Sequence, residues 1–105
     1  LGRVEAQEGF RLVAAMNPFD AVGTARIAGA VYDRVCRVAM GYQSAEDEGS
    51  IVESQHADVP TRVQSAAVEI VRATRKHPDL RTGSSIRGAI DLCAVAQELA
   101  ELRSL

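Results

Sequence analysis

The feature that most constrains this fold is a helical hydrophobic repeat that begins at Thr61 and continues in two stretches to Leu102. The first stretch, 61–76, has apolar or small residues at intervals of three and four, namely Val63, Ala66, Ala67, Ile70, Val71 and Thr74. The second stretch, 86–102, is predicted to bury Ile86, Ala89, Ile90, Cys93, Ala96, Leu99 and Ala100. Such spacing places one apolar face on each helix. The sequence therefore predicts two amphipathic helices.

Turn and cap residues set the limits of the helices. His77-Pro78-Asp79 ends the first stretch, and residues 82–85 form a tight turn that leads to a cap at Ser84 or Ser85. A further, polar helix is predicted over 45–54, because Ser44 can cap it and Asp47 follows three residues later. Residues 56–60 are predicted to be a linker. The region from about residue 42 onward is therefore predicted to be a helical bundle.

The region before residue 42 has a different pattern. Residues 10–16 form an apolar run interrupted only by Arg11 and ended by Asn17-Pro18, which is typical of a buried strand. A short helix is predicted over 25–32, and a second strand over 35–40, which is rich in β-branched residues. Two strands alone do not make a stable sheet, so a larger sheet is expected to lie outside this sequence.

Composition excludes several classes of function. The net charge is -2 and the basic residues are scattered, which argues against nucleic-acid binding. No apolar run approaches the ~18 residues of a membrane span, and the N-terminus has no signal-peptide pattern. Cys36 and Cys93 have apolar neighbours and are predicted to be buried thiols of a protein in a reducing compartment, by default the cytoplasm.

Three blocks of sequence occur in the order found in one family. Residues 10–18 (FRLVAAMNP) resemble the sensor 1 strand of MoxR-type AAA+ ATPases, and residues 32–34 (YDR) resemble the family's arginine-finger segment. Residues 73–80 (ATRKHPDL) with 83–87 (GSSIR) resemble its lid signature. The resemblance implies a mainly helical α+β fragment. Residues 1–41 would end a P-loop α/β nucleotide-binding domain, and residues 42–105 would form the helical lid.

The resemblance also implies a function. The intact parent would bind ATP and Mg²⁺, hydrolyse ATP as a homo-oligomeric ring, expected to be a hexamer, and remodel or mature client proteins. A von Willebrand factor A-domain protein is a possible partner in such a system. This sequence contains neither the pattern G-x-x-x-x-G-K-[ST] nor the acidic strand end that holds Mg²⁺. It is therefore expected to be inactive alone and to bind no nucleotide tightly.

Two catalytic residues follow from the same resemblance. Asn17 would be sensor 1, because a neutral amide can orient water near the γ-phosphate; the alternative is an Asn that only forms a turn. Arg34 would be the finger that reaches a neighbouring subunit's nucleotide, because a guanidinium neutralises phosphate charge. Alternatively, Arg34 is held by Asp33 or a surface carboxylate, and Arg26 and Arg37 are rival fingers.

The nucleotide-contacting residue of the lid would be Arg87, in the first turn of the last helix, where it would act as sensor 2. The alternative is a solvated arginine, which the helix dipole slightly disfavours. Arg75 is interpreted as structural. His56 and His77 have no further ligands at metal-binding spacing, so no metal site is expected.

Two other functions stay open from the residues alone. The helical part could be a stand-alone protein-interaction module without nucleotide chemistry, which predicts a stable monomer. A small enzyme of another type would need a pocket with convergent polar groups, and the sequence indicates none.

Overall fold

The computed structural model describes residues 2–16 and 29–104. The chain divides into two compact units, Leu1–Ala39 and Met40–Leu105. The described residues contain four helices: α1 Gly29–Tyr32, α2 Ala45–Gln55, α3 Thr61–Thr74 and α4 Ile86–Leu102. The protein is therefore mainly helical over the part that the structure describes, as predicted.

The first unit differs from the prediction. Residues 10–16 form no strand, and Leu12 and Val13 are more than four-fifths exposed. Residues 35–40 also form no strand, and Val38 and Met40 are exposed. The two-strand end of a P-loop domain is thus not seen. A strand needs a neighbour for its N–H and C=O groups, and the described residues contain no sheet to supply one.

The first unit contains a hydrogen-bonded turn and the short helix α1. Residues 7–10 form a turn in which the Phe10 amide donates to the Gln7 carbonyl at 3.1 Å, and Gly9 takes a φ of 84°. A positive φ at the third position of a turn suits glycine, which has no Cβ to clash. The short helix predicted over 25–32 is represented by α1, and residues 25–28 lie outside the described residues.

Helix α2 begins where the sequence predicts. The Ser44 hydroxyl accepts a hydrogen bond from the Asp47 amide at 3.1 Å and lies 2.8 Å from the Asp47 carboxylate. Glu46, Asp47 and Glu48 all lie in the first turn, near the positive end of the helix dipole. The predicted cap and helix are confirmed, and the helix ends one residue later than expected, at Gln55.

The linker 56–60 is held by side chains from two helices. Gln64 of α3 is buried, and its amide nitrogen donates to the carbonyls of His56 at 2.8 Å and Val59 at 2.9 Å. Gln97 of α4 donates to the Asp58 carboxylate at 2.6 Å. The α2–α3 connection is therefore fixed by hydrogen bonds as well as by the burial of Val59.

Helices α2, α3 and α4 pack against one another around a small apolar core. The core residues are Val52, Val59, Ala67, Val68, Val71, Ala89 and Cys93, with Val63, Ile86 and Ile90 packed against them. Burying one such valine contributes roughly 1.5–3 kcal/mol relative to leaving it in water. Helix α4 spans 86–102 as predicted, whereas α3 ends at Thr74, two residues before the expected limit.

Several expected core positions are wrong. Ala66, Ile70 and Leu99 are exposed, and the buried positions of α3 are Gln64, Ala67, Val68 and Val71. Cys93 is fully buried, and burial raises the pKa of its thiol, but Cys36 is exposed. Among the described residues, no helix is both long and apolar enough to cross a membrane.

Candidate functional site

The backbone amides at the N-terminus of α4 are free to bind a ligand or water, because no side chain caps the helix. Ser85 occupies the cap position with extended backbone angles, φ -82° and ψ 176°, but its side chain accepts no amide hydrogen bond. The neighbouring Ser84 hydroxyl instead donates to the Ser85 carbonyl at 3.2 Å. The prediction of a serine at this cap position is correct for Ser85, but the expected capping hydrogen bond is absent. The helix therefore presents amides that its own side chains do not satisfy.

Arg87 lies in the first turn of α4 and is exposed. None of the ion pairs found within residues 2–16 and 29–104 includes it, and the first turn contains no acidic residue. A cation at this end of a helix is opposed by the dipole. The guanidinium and the nearby amides together form a small positive region.

Arg34 lies in the first unit, two residues after the end of α1. Its side chain is exposed, and Nη1 donates weakly to the Ala30 carbonyl at 3.4 Å. In the described parts of the chain no ion pair joins it to Asp33. Arg37 is exposed as well. Asn17 and the rival finger Arg26 lie outside the described residues, so their roles stay predictions.

The helical unit contains a buried charge cluster that the sequence did not indicate. Glu48 of α2, expected on a polar helix, is fully buried. Its Oε2 lies 2.9 Å from Nη1 of Arg72, and its Oε1 lies 2.7 Å from Nη2 of Arg75. The second contact lies outside hydrogen-bond angles, so it is a charge pair rather than a directional bond. One carboxylate thus joins α2 to the last turn of α3 and to its C-cap.

The charge of Glu48 is stabilised where it lies. Burial alone raises the pKa of this carboxyl, but the contacts with Arg75 and then Arg72 lower it by more, so the pKa lies below its ordinary value. A buried carboxylate is tolerated only when it is paired in this way. Glu48 is therefore ionised in the folded protein at neutral pH.

Arg75 extends the cluster toward the start of α4. Its Nε donates to the Ser84 carbonyl at 2.8 Å, and its guanidinium carbon lies 3.8 Å from the centre of the Tyr42 ring. Arg72 also donates to the Gln43 carbonyl, at 3.2 Å. The structural interpretation of Arg75 agrees with these contacts. Glu48 lies four residues before the buried Val52, on the same face of α2, but no local pattern in the sequence records its two arginine partners.

A groove lies between α2 and α3. Its volume is about 340 Å³, and its lining includes Glu53, Glu69, Thr61 and Ser65. Two carboxylates make it unsuited to phosphate, because like charges repel. Within the described residues no three His, Cys, Asp or Glu side chains are grouped as metal ligands.

Comparison of the chain with models of protein families, with curated proteins and with solved structures finds no match.

Proposed function

We propose that residues 42–105 act as the lid of an AAA+ ATPase of MoxR type and contact nucleotide phosphates through Arg87. The observation that carries this proposal is the exposed Arg87 in the first turn of α4, beside an N-terminus that no side chain caps. Backbone amides at a helix N-terminus bind anions, and a guanidinium adds two parallel donors for phosphate oxygens. A bound phosphate would also offset the unfavourable position of Arg87 in the helix dipole.

The rest of the proposal concerns the intact protein. ATP and Mg²⁺ would be bound by a P-loop domain, to which residues 1–41 would contribute the last part. Asn17 would orient the attacking water, and Arg34 would reach the nucleotide of a neighbouring subunit in a ring, expected to be a hexamer. Hydrolysis would then drive remodelling of client proteins in the cytoplasm, with a von Willebrand factor A-domain protein as a possible partner. The exposure of Arg34 supports a role outside its own unit.

The test is ATP turnover by the intact protein carrying Arg34→Ala, alone and mixed with a subunit whose P-loop is inactivated. The variant should be inactive alone and should recover activity on mixing, because each subunit then supplies the part that the other lacks. Arg3→Ala is the matched control, since Arg3 is an exposed arginine of the same unit that pairs with Glu5. Normal turnover by Arg34→Ala would exclude it as the finger. Absence of turnover in the unmodified protein would refute the ATPase.

A stand-alone interaction module is the second candidate, and one observation favours it. Helix α4 has a second apolar face, opposite the core, formed by Leu92, Val95, Leu99 and Leu102, all of which are exposed. A helix with apolar residues on both faces is usually covered on both. A stable monomer whose amide spectrum does not respond to ATP would favour this candidate over the lid.

A further inference from the structure

A buried carboxylate in so small a core needs an explanation beyond packing. Glu48 has no exposed surface, and removing a charge from water costs several kcal/mol before its partners offset the loss. Replacing a whole buried ion-pair cluster by apolar residues of similar size is often neutral for stability, so stability alone does not account for the charges gathered here.

The charge of Glu48 holds one end of the Arg75 guanidinium in place. The Arg75 guanidinium is held at Nη2 by Glu48 and from one face by the Tyr42 ring, and its side chain is only 9% exposed. A planar guanidinium held at these points has its remaining donors aimed in fixed directions. Nε is thereby aimed at the Ser84 carbonyl, which it reaches at 2.8 Å.

Ser84 in turn is held on both sides of its peptide backbone. Its amide donates to the Thr74 hydroxyl at 2.8 Å, and its carbonyl accepts from Arg75. Two consecutive residues at the end of α3 therefore fix the residue that precedes the cap of α4. The approach is so close that a Cβ at Gly83 would lie 2.5 Å from Cα of Arg75, and a Cβ at Gly88 would contact the Ser84 hydroxyl.

We infer that Glu48 and Arg75 are positioning residues for phosphate contact at the start of α4. This inference rests on the proposed function of Arg87. Glu48 holds Arg75, Arg75 holds the Ser84 carbonyl, and Ser84 sets where α4 begins. Arg87 lies three residues further along and moves with that N-terminus. The docking of α2 is thereby coupled to the geometry of the phosphate site, so a movement of α2 would alter nucleotide contact.

The test separates the charge pair from the bond to Ser84. Lysine at position 75 keeps a cation for Glu48 but lacks the Nε donor, so Arg75→Lys should leave α2 docked and release the Ser84 carbonyl. The full ¹⁵N-labelled chain is titrated with ATP and, separately, with inorganic phosphate, and the amide signals of Ile86 and Arg87 are followed. Amide titration detects weak binding, as expected for a chain without a P-loop.

Arg75→Lys should weaken ATP and phosphate binding by about tenfold or more, as expected when a contact group loses its fixed position. Even without ligand, the amide signals of residues 84–87 should shift. Arg62→Lys is the control, because Arg62 is an exposed arginine of α3, and this variant should bind ATP and phosphate as tightly as the unmodified chain does. Thr74→Val releases the Ser84 amide instead and should weaken binding too, which keeps the test decisive if Arg75→Lys fails to fold.

Arg87→Ala distinguishes the two proposals. If Arg87→Ala abolishes binding while Arg75→Lys and Thr74→Val bind normally, the positioning inference is wrong and the phosphate site stands. If the unmodified chain responds to neither ligand, or if Arg87→Ala binds as tightly as the unmodified chain, the proposed function is wrong. The positioning inference, which rests on it, is then wrong as well.

Discussion

Oε1 of Glu48 and Nη2 of Arg75 lie 2.7 Å apart at a point where Glu48 has no contact with solvent. This charge pair joins α2 to the end of α3, and through Ser84 to the beginning of α4. Three helices thus depend on one carboxylate that belongs to a helix otherwise rich in polar residues. The stability of the helical unit should reflect that dependence.

Glu48→Ala is expected to destabilise the helical unit by about 3 kcal/mol, near the lower limit for breaking a buried pair, because Arg72 can still reach water. The measurement is the free energy of unfolding from urea denaturation followed by circular dichroism. Glu53→Gln, a change at an exposed position on the same helix, is the control and should alter stability by less than about 0.5 kcal/mol. Equal effects of the two variants would show that the buried pair contributes little.

Stability should decrease in acid. Burial raises the pKa of Glu48, but Arg75 and Arg72 lower it more, and a hydrogen bond from Gln97 lowers the pKa of Asp58. Because both pKa values are lower in the folded protein, the unfolded chain takes up protons at these two carboxyls at a higher pH than the folded chain does. The stabilisation from the two carboxyls is therefore complete above their ordinary pKa values of 4.5 and 3.8, and it is lost as the pH falls through the lower pKa values of the folded protein. Denaturation midpoints measured between about pH 6 and about pH 3 test this.

The variant Glu48→Gln cannot ionise, so its midpoint should fall less over the same pH range than that of the unmodified chain. Asp58→Asn should remove the part of the pH dependence that comes from the hydrogen bond between Asp58 and Gln97. A pH dependence that is identical in all three proteins would contradict the assignment of acid sensitivity to these carboxyls.

Two glycines should respond oppositely to alanine. Gly83→Ala should destabilise the unit by about 1–3 kcal/mol, because the new Cβ would collide with the backbone of Arg75. Gly49→Ala should stabilise it by about 0.5–1 kcal/mol, since Gly49 lies within α2 and nothing outside the local backbone of the helix lies within 4 Å of the Cβ position. Thermal unfolding of both variants provides the comparison. A loss of stability in Gly49→Ala would show that α2 is packed differently at this point.

Hydrogen exchange should distinguish the two units. Amides in α3 and α4 should exchange most slowly, because these helices contain most of the buried core, whereas amides of residues 10–16 should exchange fast. Mass spectrometry of peptides from the deuterated chain measures the deuterium uptake of both regions. Strongest protection in residues 10–16 would indicate that the predicted strand forms in solution.

The sequence predicted the helical unit well for a physical reason. Periodic apolar residues and the Ser44 cap act within one helix, so α2 and α4 could be located without knowledge of the fold. Which side of a helix becomes buried was less predictable. Ile70 and Leu99 lie on apolar stripes but are exposed, because the positions of neighbouring helices decide which part of a stripe is covered.

The candidate site divides in the same way. Arg87 and Ser85 could be placed at the start of α4 from local signals, and a resemblance to a known signature gave Arg87 its proposed role. Glu48 could not be identified, because its burial depends on two arginines 24 and 27 residues further along the chain, and no local pattern records that pairing.

The sequence by itself therefore determined where α2, α3 and α4 begin, and where they end to within two residues, since those signals are local. Tertiary structure decided two further points. It buried Glu48 between Arg72 and Arg75, because only packing brings α2 and the end of α3 together. It also left residues 10–16 and 35–40 without strand structure in the described part of the chain, because a strand exists only when another strand pairs with it.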